Sequence, residues 1–278
     1  PRGIGASAAK NEDNPGIVTA EYLVDAILDH PGDTVSLCMS CGNTLLAVVM
    51  QFIDFLRRNP DVLEALKQKT LMLYPRSLYW EPTLRFNIDS EYPSTSIYPS
   101  ALVVYLAMQL MTLGCKVIAH APQPPLDFYR EFDDMSQDEQ SRQVTKYSSY
   151  LDQAKSADIF LLGIGTGQHD ARYGTVLDEL GIDLTEQFAD DEGMAGEIGY
   201  QPFDPKGQFA HFPKLIAVTG EELAALSQNN TKIIATLGGE QKIPALRALL
   251  QRDQLPFNVL VTDEAIASIV DRDPAQTW

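Results

Sequence analysis

Within residues 232–270, KIIATLGGEQKIPALRALLQRDQLPFNVLVTDEAIASIV, two apolar runs each give way at once to a helix start. The run at 233–237 ends in Gly238 and Gly239, and Lys242 stands where the next helix should begin. The run at 259–261 ends in Thr262, Asp263 and Glu264, an N-cap grouping ahead of a helical pattern. Two strand-to-helix switches this close together imply a parallel sheet, because parallel strands are joined through crossover helices. Such sheets collect polar ligand-binding groups at the carboxyl ends of their strands. A lysine and unpaired helix-start amides at that edge suit an anionic ligand.

The same alternation runs through the whole chain. Helical spacing over 20–28 is broken by Pro31 and Gly32, and 34–39 reads as a strand. Ser40, Cys41, Gly42, Asn43 and Thr44 then turn the chain into a helix over 45–58, followed by a strand at 70–73. Residues 77–99, rich in proline, serine and aromatics, read as an irregular loop able to fold over a pocket. An apolar helix over 100–113, a strand at 116–120, a charged helical segment at 131–157 and a very apolar strand at 158–164 come next. A glycine-rich stretch at 193–208 and a short strand at 215–218 complete the pattern. No internal repeat or long linker appears. The expected organisation is a flexible segment at 1–17 and one domain at 18–278, with room for a small subdomain.

Composition narrows the function. A chain of 278 residues with 45% hydrophobic and 21% charged residues can bury a full core. No apolar run approaches the roughly 18–20 residues that span a bilayer, and residues 1–15 lack a signal-peptide core, so a cytoplasmic location and no membrane association are expected. A formal net charge of -17 argues against a direct grip on nucleic acid, which needs a basic face. The opening at Pro1 leaves room for a DNA-binding segment outside the sequence. Three cysteines cannot build a disulfide framework. Cys38 and Cys41 form a CMSC spacing that reads as a redox pair, half a zinc site or, favoured here, a buried strand cysteine beside a loop cysteine.

Three glycine turns follow the strands: SCGNT (40–44), GIGTGQ (163–168) and LGGEQK (237–242). Glycine permits positive φ and a close approach of backbone to ligand, and the helix after each turn offers free amides. Thr44 could add a hydroxyl donor. GIGTGQ is close to a dinucleotide fingerprint, but residue 168 is glutamine and Asp183 lies in a polar stretch rather than at a strand end. No P-loop, GxSxG or HExxH occurs. Arg76, after a strand end, fits either a bidentate phosphate contact or a surface ion pair. Glu197 and Asp263 are acceptors able to hold sugar hydroxyls, although capping suits Asp263 equally well. His120 reads as an acid–base candidate or a structural histidine, and Tyr79 and Trp80 as sugar-stacking or core aromatics.

At LVTDEAIASIV, GGEQKIPALRALL, GMAGEIGYQPFDPKGQ, VSLCMSCGNTL and DIFLLGIGT the chain resembles the C-terminal effector-binding domain of SorC-type (SorC/DeoR-like) bacterial transcription regulators. That resemblance covers roughly residues 18–272. It implies an α/β fold with a Rossmann-like, mostly parallel sheet flanked by helices, of the glucosamine-6-phosphate deaminase, ribose-5-phosphate isomerase and CoA-transferase-like type. It also implies a sugar or sugar phosphate effector at the strand carboxyl ends. On matching positions, Gly42, Asn43 and Thr44 would cradle a phosphate beside Cys41, with Gly163, Gly165 and Thr166 along the central strand. Arg76 and Lys242 would supply charge, and Glu197 and Asp263 would face the sugar. The family usually carries an N-terminal helix-turn-helix, and nothing of that kind precedes residue 20. In this chain Cys41 stands where tryptophan or glycine is common, and Glu197 replaces an aspartate.

The expected function is therefore ligand sensing without catalysis, metal or cofactor. The partners are a sugar or sugar phosphate, operator DNA through a domain absent from the sequence, and further copies in a homodimer or homotetramer. The alternative is a sugar-phosphate isomerase, deaminase or lactonase using Glu197, Asp263 or His120 as base.

Overall fold

The computed structural model describes residues 14–78, 98–122, 124, 128, 131–166, 193–229 and 231–272. Its strands are β1 (Thr34–Met39), β2 (Thr70–Pro75), β3 (Lys116–Ala119), β4 (Ile159–Thr166), β5 (Gly196–Ile198), β6 (Gln201–Phe203), β7 (Lys232–Thr236) and β8 (Val259–Val261). Six of them pair in parallel in the order β3-β2-β1-β4-β7-β8. The chain leaves β1 outward to β2 and β3, then returns to place β4 on the other side of β1. The order therefore reverses between β1 and β4, where doubly wound sheets open a ligand crevice at the strand carboxyl ends. This is the expected α/β class.

Nine α-helices occur among the described residues: α1 (Pro15–Leu28), α2 (Asn43–Arg58), α3 (Pro60–Leu66), α4 (Pro99–Thr112), α5 (Gln137–Ser148), α6 (Asp152–Lys155), α7 (Gly220–Ser227), α8 (Ile243–Leu250) and α9 (Glu264–Arg272). Their starts follow local chemistry. The Asn14 side chain accepts from Gly16 N ahead of Pro15. Ser136 accepts from Glu139 N, and Thr219 with Glu222 forms a reciprocal capping box. Helix α2 differs: its N-cap is Gly42, at φ 105°, and no side chain caps it.

Strand alternation divides the core into two layers. Leu37, Met39, Leu71, Leu73, Ile159, Leu161 and Ile234 face α1, α2 and α4. Cys38, Tyr74, Phe160, Leu162, Ile233 and Ala235 face α6, α7 and α8. Burial on both faces explains why the strands read as continuous apolar runs. Asp158 ties the sheet edge to β1, accepting from Ser36 N at 2.9 Å and Ser36 Oγ at 2.5 Å.

Four expectations change. Helix α1 begins at Pro15, inside the segment expected to be flexible, because Asn14 caps it; residues 1–13 lie outside the described residues. The stretch 215–218 is not a strand, touching Ser77 only through an isolated bridge at Ala217. GIGT is not a turn: β4 continues through Thr166, and Ile164–Thr166 pairs antiparallel with β5. The glycine-rich stretch after residue 193 holds the β5–β6 hairpin. Tyr79, Trp80, Gly167, Gln168 and Asp183 lie outside the described residues, as does most of the 77–99 loop.

Phe160, fully buried in the central strand, carries the packing of the α6–α8 layer. Phe160→Ala is expected to cost about 3–5 kcal/mol in urea unfolding. A loss under 1 kcal/mol would contradict this two-layer core.

Candidate functional site

Two turns meet across the carboxyl edge of the sheet. After β7, Gly239 takes φ 94° and a single 3-10 turn, Glu240–Lys242, leads into α8. After β1, Ser40-Cys41-Gly42 leads into α2. Lys242 Nζ donates to Thr44 Oγ1 at 3.0 Å and joins the two. An oxygen that accepts from Lys242 keeps its own hydrogen free to donate outward. Gly42 and Asn43 are exposed, Thr44 and Lys242 are half-buried, and a Cβ built on Gly42 meets nothing within 4 Å. An uncapped 16-residue helix start, a lysine and a hydroxyl thus share one open approach. Burial pulls the Lys242 pKa below its ordinary value, while Glu197 and Asp263 hold it up.

Glycines in β4 make the second wall possible. A Cβ at Gly163 would make van der Waals contact with Cys41 O at 3.4 Å and the Leu45 side chain at 3.5 Å, which places the turn and the start of α2 close over the strand. Gly165 is the antiparallel partner of Glu197. A Cβ there would lie 2.1 Å from Glu197 Oε1, so the carboxylate crosses the strand over this glycine. Glu197 Oε2 accepts from Tyr200 N at 2.7 Å. Burial pushes its carboxyl above the usual range; the Tyr200 hydrogen bond and the Arg76 and Lys242 charges work in the opposite direction. Thr166, half-buried, pairs with Gly196 at the same end.

Arg76 takes neither of its two expected places. It is fully buried, which excludes the surface ion pair. Its Nη1 donates to Ile198 O and to Gly199 O (3.2 Å), and its Nη2 to Gln201 Oε1 (3.3 Å), so it clamps the β5–β6 turn from below. The turn itself is strained: Gly199 and Tyr200 both have positive φ, 52° and 70°, the pattern of a two-residue I′ hairpin with tyrosine in place of glycine. A Cβ on Gly199 would come 2.4 Å from Arg76 Nη1 and 2.5 Å from Ser40 Oγ. Neither Tyr200 nor Gly199 stood out in the sequence. The available signal was a glycine between two short mixed stretches, EI and QPF, and three-residue strands are too brief to show a period.

Cys41 is buried beside Glu197. Its thiol is pushed up to about 12 by burial and by Glu197, against a hydrogen bond from the Tyr200 side chain and the Arg76 charge. It therefore offers a neutral floor, with no nucleophile at neutral pH. Cys38 and Cys115 are also free buried thiols, so the pair is a strand cysteine beside a turn cysteine, as favoured. No cluster among the described residues could hold a metal ion. Asp263 acts as a strut: Oδ1 accepts from Ile266 N at 2.9 Å, capping α9, and Oδ2 accepts from Gly239 N at 2.6 Å, pinning the turn that carries Lys242. His120 stacks on Tyr74 at 4.8 Å, just past the end of the edge strand β3, which β2 separates from β1.

Fold and site together define a domain of the doubly wound class whose crevice has a lysine and an uncapped helix start at one end and a desolvated carboxylate at the other. A family model described as "Putative sugar-binding domain" matches residues 132–270, half of the chain. The chain belongs to that family of sugar-binding domains. Its fold is similar to that of a DeoR family transcriptional regulator from Listeria monocytogenes (TM-score 0.60, 16% identity, covering 96% of this chain and 90% of that one). It is similar to a transcriptional regulator from Streptococcus pneumoniae (0.57, 16%, 95% and 86%) and to the full-length sorbitol operon regulator SorC from Klebsiella pneumoniae (0.55, 17%, 96% and 74%). A search of curated proteins found no match. No helix among the described residues is long and apolar enough to cross a membrane.

Glu197 is raised in the folded chain above its ordinary value of 4.5, so the folded state binds that proton more tightly than the unfolded one. Ionisation at this position therefore subtracts stability as pH rises from about 4.5. Glu197→Gln is expected to melt higher than the parent at pH 8, with the difference shrinking toward pH 4. A variant that melts lower at pH 8 would contradict the desolvated carboxylate.

Proposed function

We propose that the chain is the effector-sensing domain of a transcription regulator, with a sugar phosphate as effector. The membership in a sugar-binding family and the presence of transcription regulators among its structural neighbours support this reading. The observation that carries the phosphate part is the Lys242–Thr44 bond at an uncapped helix start. The phosphate would sit on the amides of Asn43 and Thr44, the Thr44 hydroxyl and Lys242. Glu197 Oε1 would accept from sugar hydroxyls. In this proposal Arg76 and Asp263 hold the walls rather than touch the ligand. Cys41, Gly163, Gly165 and Thr166 shape the floor. The ligand leaves unchanged, so the domain is not an enzyme. The protein works in the cytoplasm, as a homodimer or homotetramer, with the chain from α1 onward acting as one effector domain.

The start of α1 offers a route out of the site. A Cβ on Gly238 would come 2.9 Å from the Pro15 ring, so the turn carrying Lys242 bears directly on the first residue of α1. The Thr19 and Thr236 hydroxyls, both fully buried, bond at 2.9 Å between α1 and β7. Ligand that fixes the Lys242 turn would thereby bias the angle at which preceding chain, carrying a DNA-binding domain, enters.

A thermal-shift panel tests this: ribose 5-phosphate, glucosamine 6-phosphate, other sugar phosphates, their free sugars and inorganic phosphate. At least one sugar phosphate should raise the melting temperature with micromolar affinity, and Lys242→Met should weaken that ligand about tenfold or more. A folded protein indifferent to the whole panel, or equal binding to Lys242→Met, overturns the phosphate site.

A further inference from the structure

Helix α4 is apolar all round. Its inner side buries Leu102, Val103, Leu106, Ala107 and Leu110. On its outer side Val104, Tyr105, Met108 and Met111 remain 43%, 37%, 62% and 62% exposed. These four are the majority of the seven large apolar side chains left exposed among the described residues, and the spacing 104, 108, 111 with 105 alongside makes them one stripe. A helix apolar on every side is normally covered in the working protein.

We infer that the α4 stripe is an interface with a second copy of this chain, the two helices crossing antiparallel about a twofold axis near Met108. Charge selects the occupant. The chain carries a net -17, so two copies repel through most faces they could present. The 14 residues of α4 include no aspartate, glutamate, lysine, arginine or histidine. Among the described residues the one charge bonded to it is Arg57, which donates to Gln109 at 2.9 Å, so a basic partner would be drawn to the acidic surface rather than to this one. The stripe is also self-matching. Val104 and Met111 flank Met108 almost symmetrically, so an antiparallel crossing sets Met111 of one copy near Val104 of the other and Met108 at the axis. A patch of this kind, a few hundred Å² against the roughly 800 Å² per partner of a standard interface, gives a micromolar rather than nanomolar dimer.

This surface deepens the assembly part of the reading above and involves no effector. A failed sugar-phosphate panel leaves it standing, and a monomer leaves the effector site standing. The test is sedimentation equilibrium of the full 278-residue chain between about 2 and 200 µM, a range chosen to bracket a micromolar dimer. The average mass should rise from 30.7 kDa toward twice that value, more readily at about 0.3 M than at 0.03 M salt because screening relieves the repulsion. Met108→Glu and Met108→Lys should each stay monomeric with unchanged melting, since the side chain is exposed. Mixed in equal amounts, the two variants should associate again, because a twofold at residue 108 sets glutamate beside lysine. A parent that is monomeric throughout, a single variant that associates like the parent, or a mixture that stays monomeric overturns the proposal.

Discussion

Strand β4 is where the architecture converges, and its two glycines set what can be built on it. Up to Gly163 the strand pairs in parallel with β1 and β7. Beyond Gly163 it pairs antiparallel with β5. A Cβ at 163 would only touch Cys41 O and Leu45, so the start of α2 lies in contact over the strand, whereas one at 165 would occupy the place of the Glu197 carboxylate. Gly163 and Gly165 share one face of the strand, so the helix start that can take an anion and the carboxylate that can take hydroxyls come to the same side of one strand end. Lys242, delivered by the neighbouring strand β7, closes the space between them.

The charges at this edge fit the proposed ligand. Glu197 is desolvated and raised, and Lys242 is desolvated and lowered, so each gives up hydration without a tight mutual ion pair among the described contacts. A phosphate at α2 and a sugar over Gly165 would supply what each lacks. Arg76 through both its Nη atoms, and Asp263 through both its oxygens, are by contrast bonded to the protein. One clamps the β5–β6 turn, and the other pins Gly239 while capping α9. Such support is what holds a binding geometry in place before the ligand arrives.

Much of this was legible beforehand, for physical reasons. Apolar runs bounded by glycine and N-cap residues at 233–239 and 259–264 report a parallel sheet, because strands buried on both faces need continuous apolar sequence. The Gly42 and Lys242 positions were legible because both are strand-end turns with short-range chemistry. What stayed hidden depends on contacts distant in sequence. Arg76 reads as a surface or ligand arginine until the hairpin 122 residues later is seen to cover it. GIGT reads as a turn because glycine ends strands as readily as it thins them for a crossing side chain. The capping role read for Asp263 is visible locally, since both carboxylate oxygens accept from backbone amides.

The claim that one edge binds phosphate through the α2 start and Lys242 is tested most directly by amide NMR. A sugar phosphate, or inorganic phosphate at millimolar concentration, is titrated into the folded chain while backbone shifts are followed. The account requires the largest changes at the amides of residues 42–45 and 239–243, with smaller ones reaching residues 15–20. Large changes confined elsewhere in the sheet, or none at 42–45 while ligand is demonstrably bound, would contradict it.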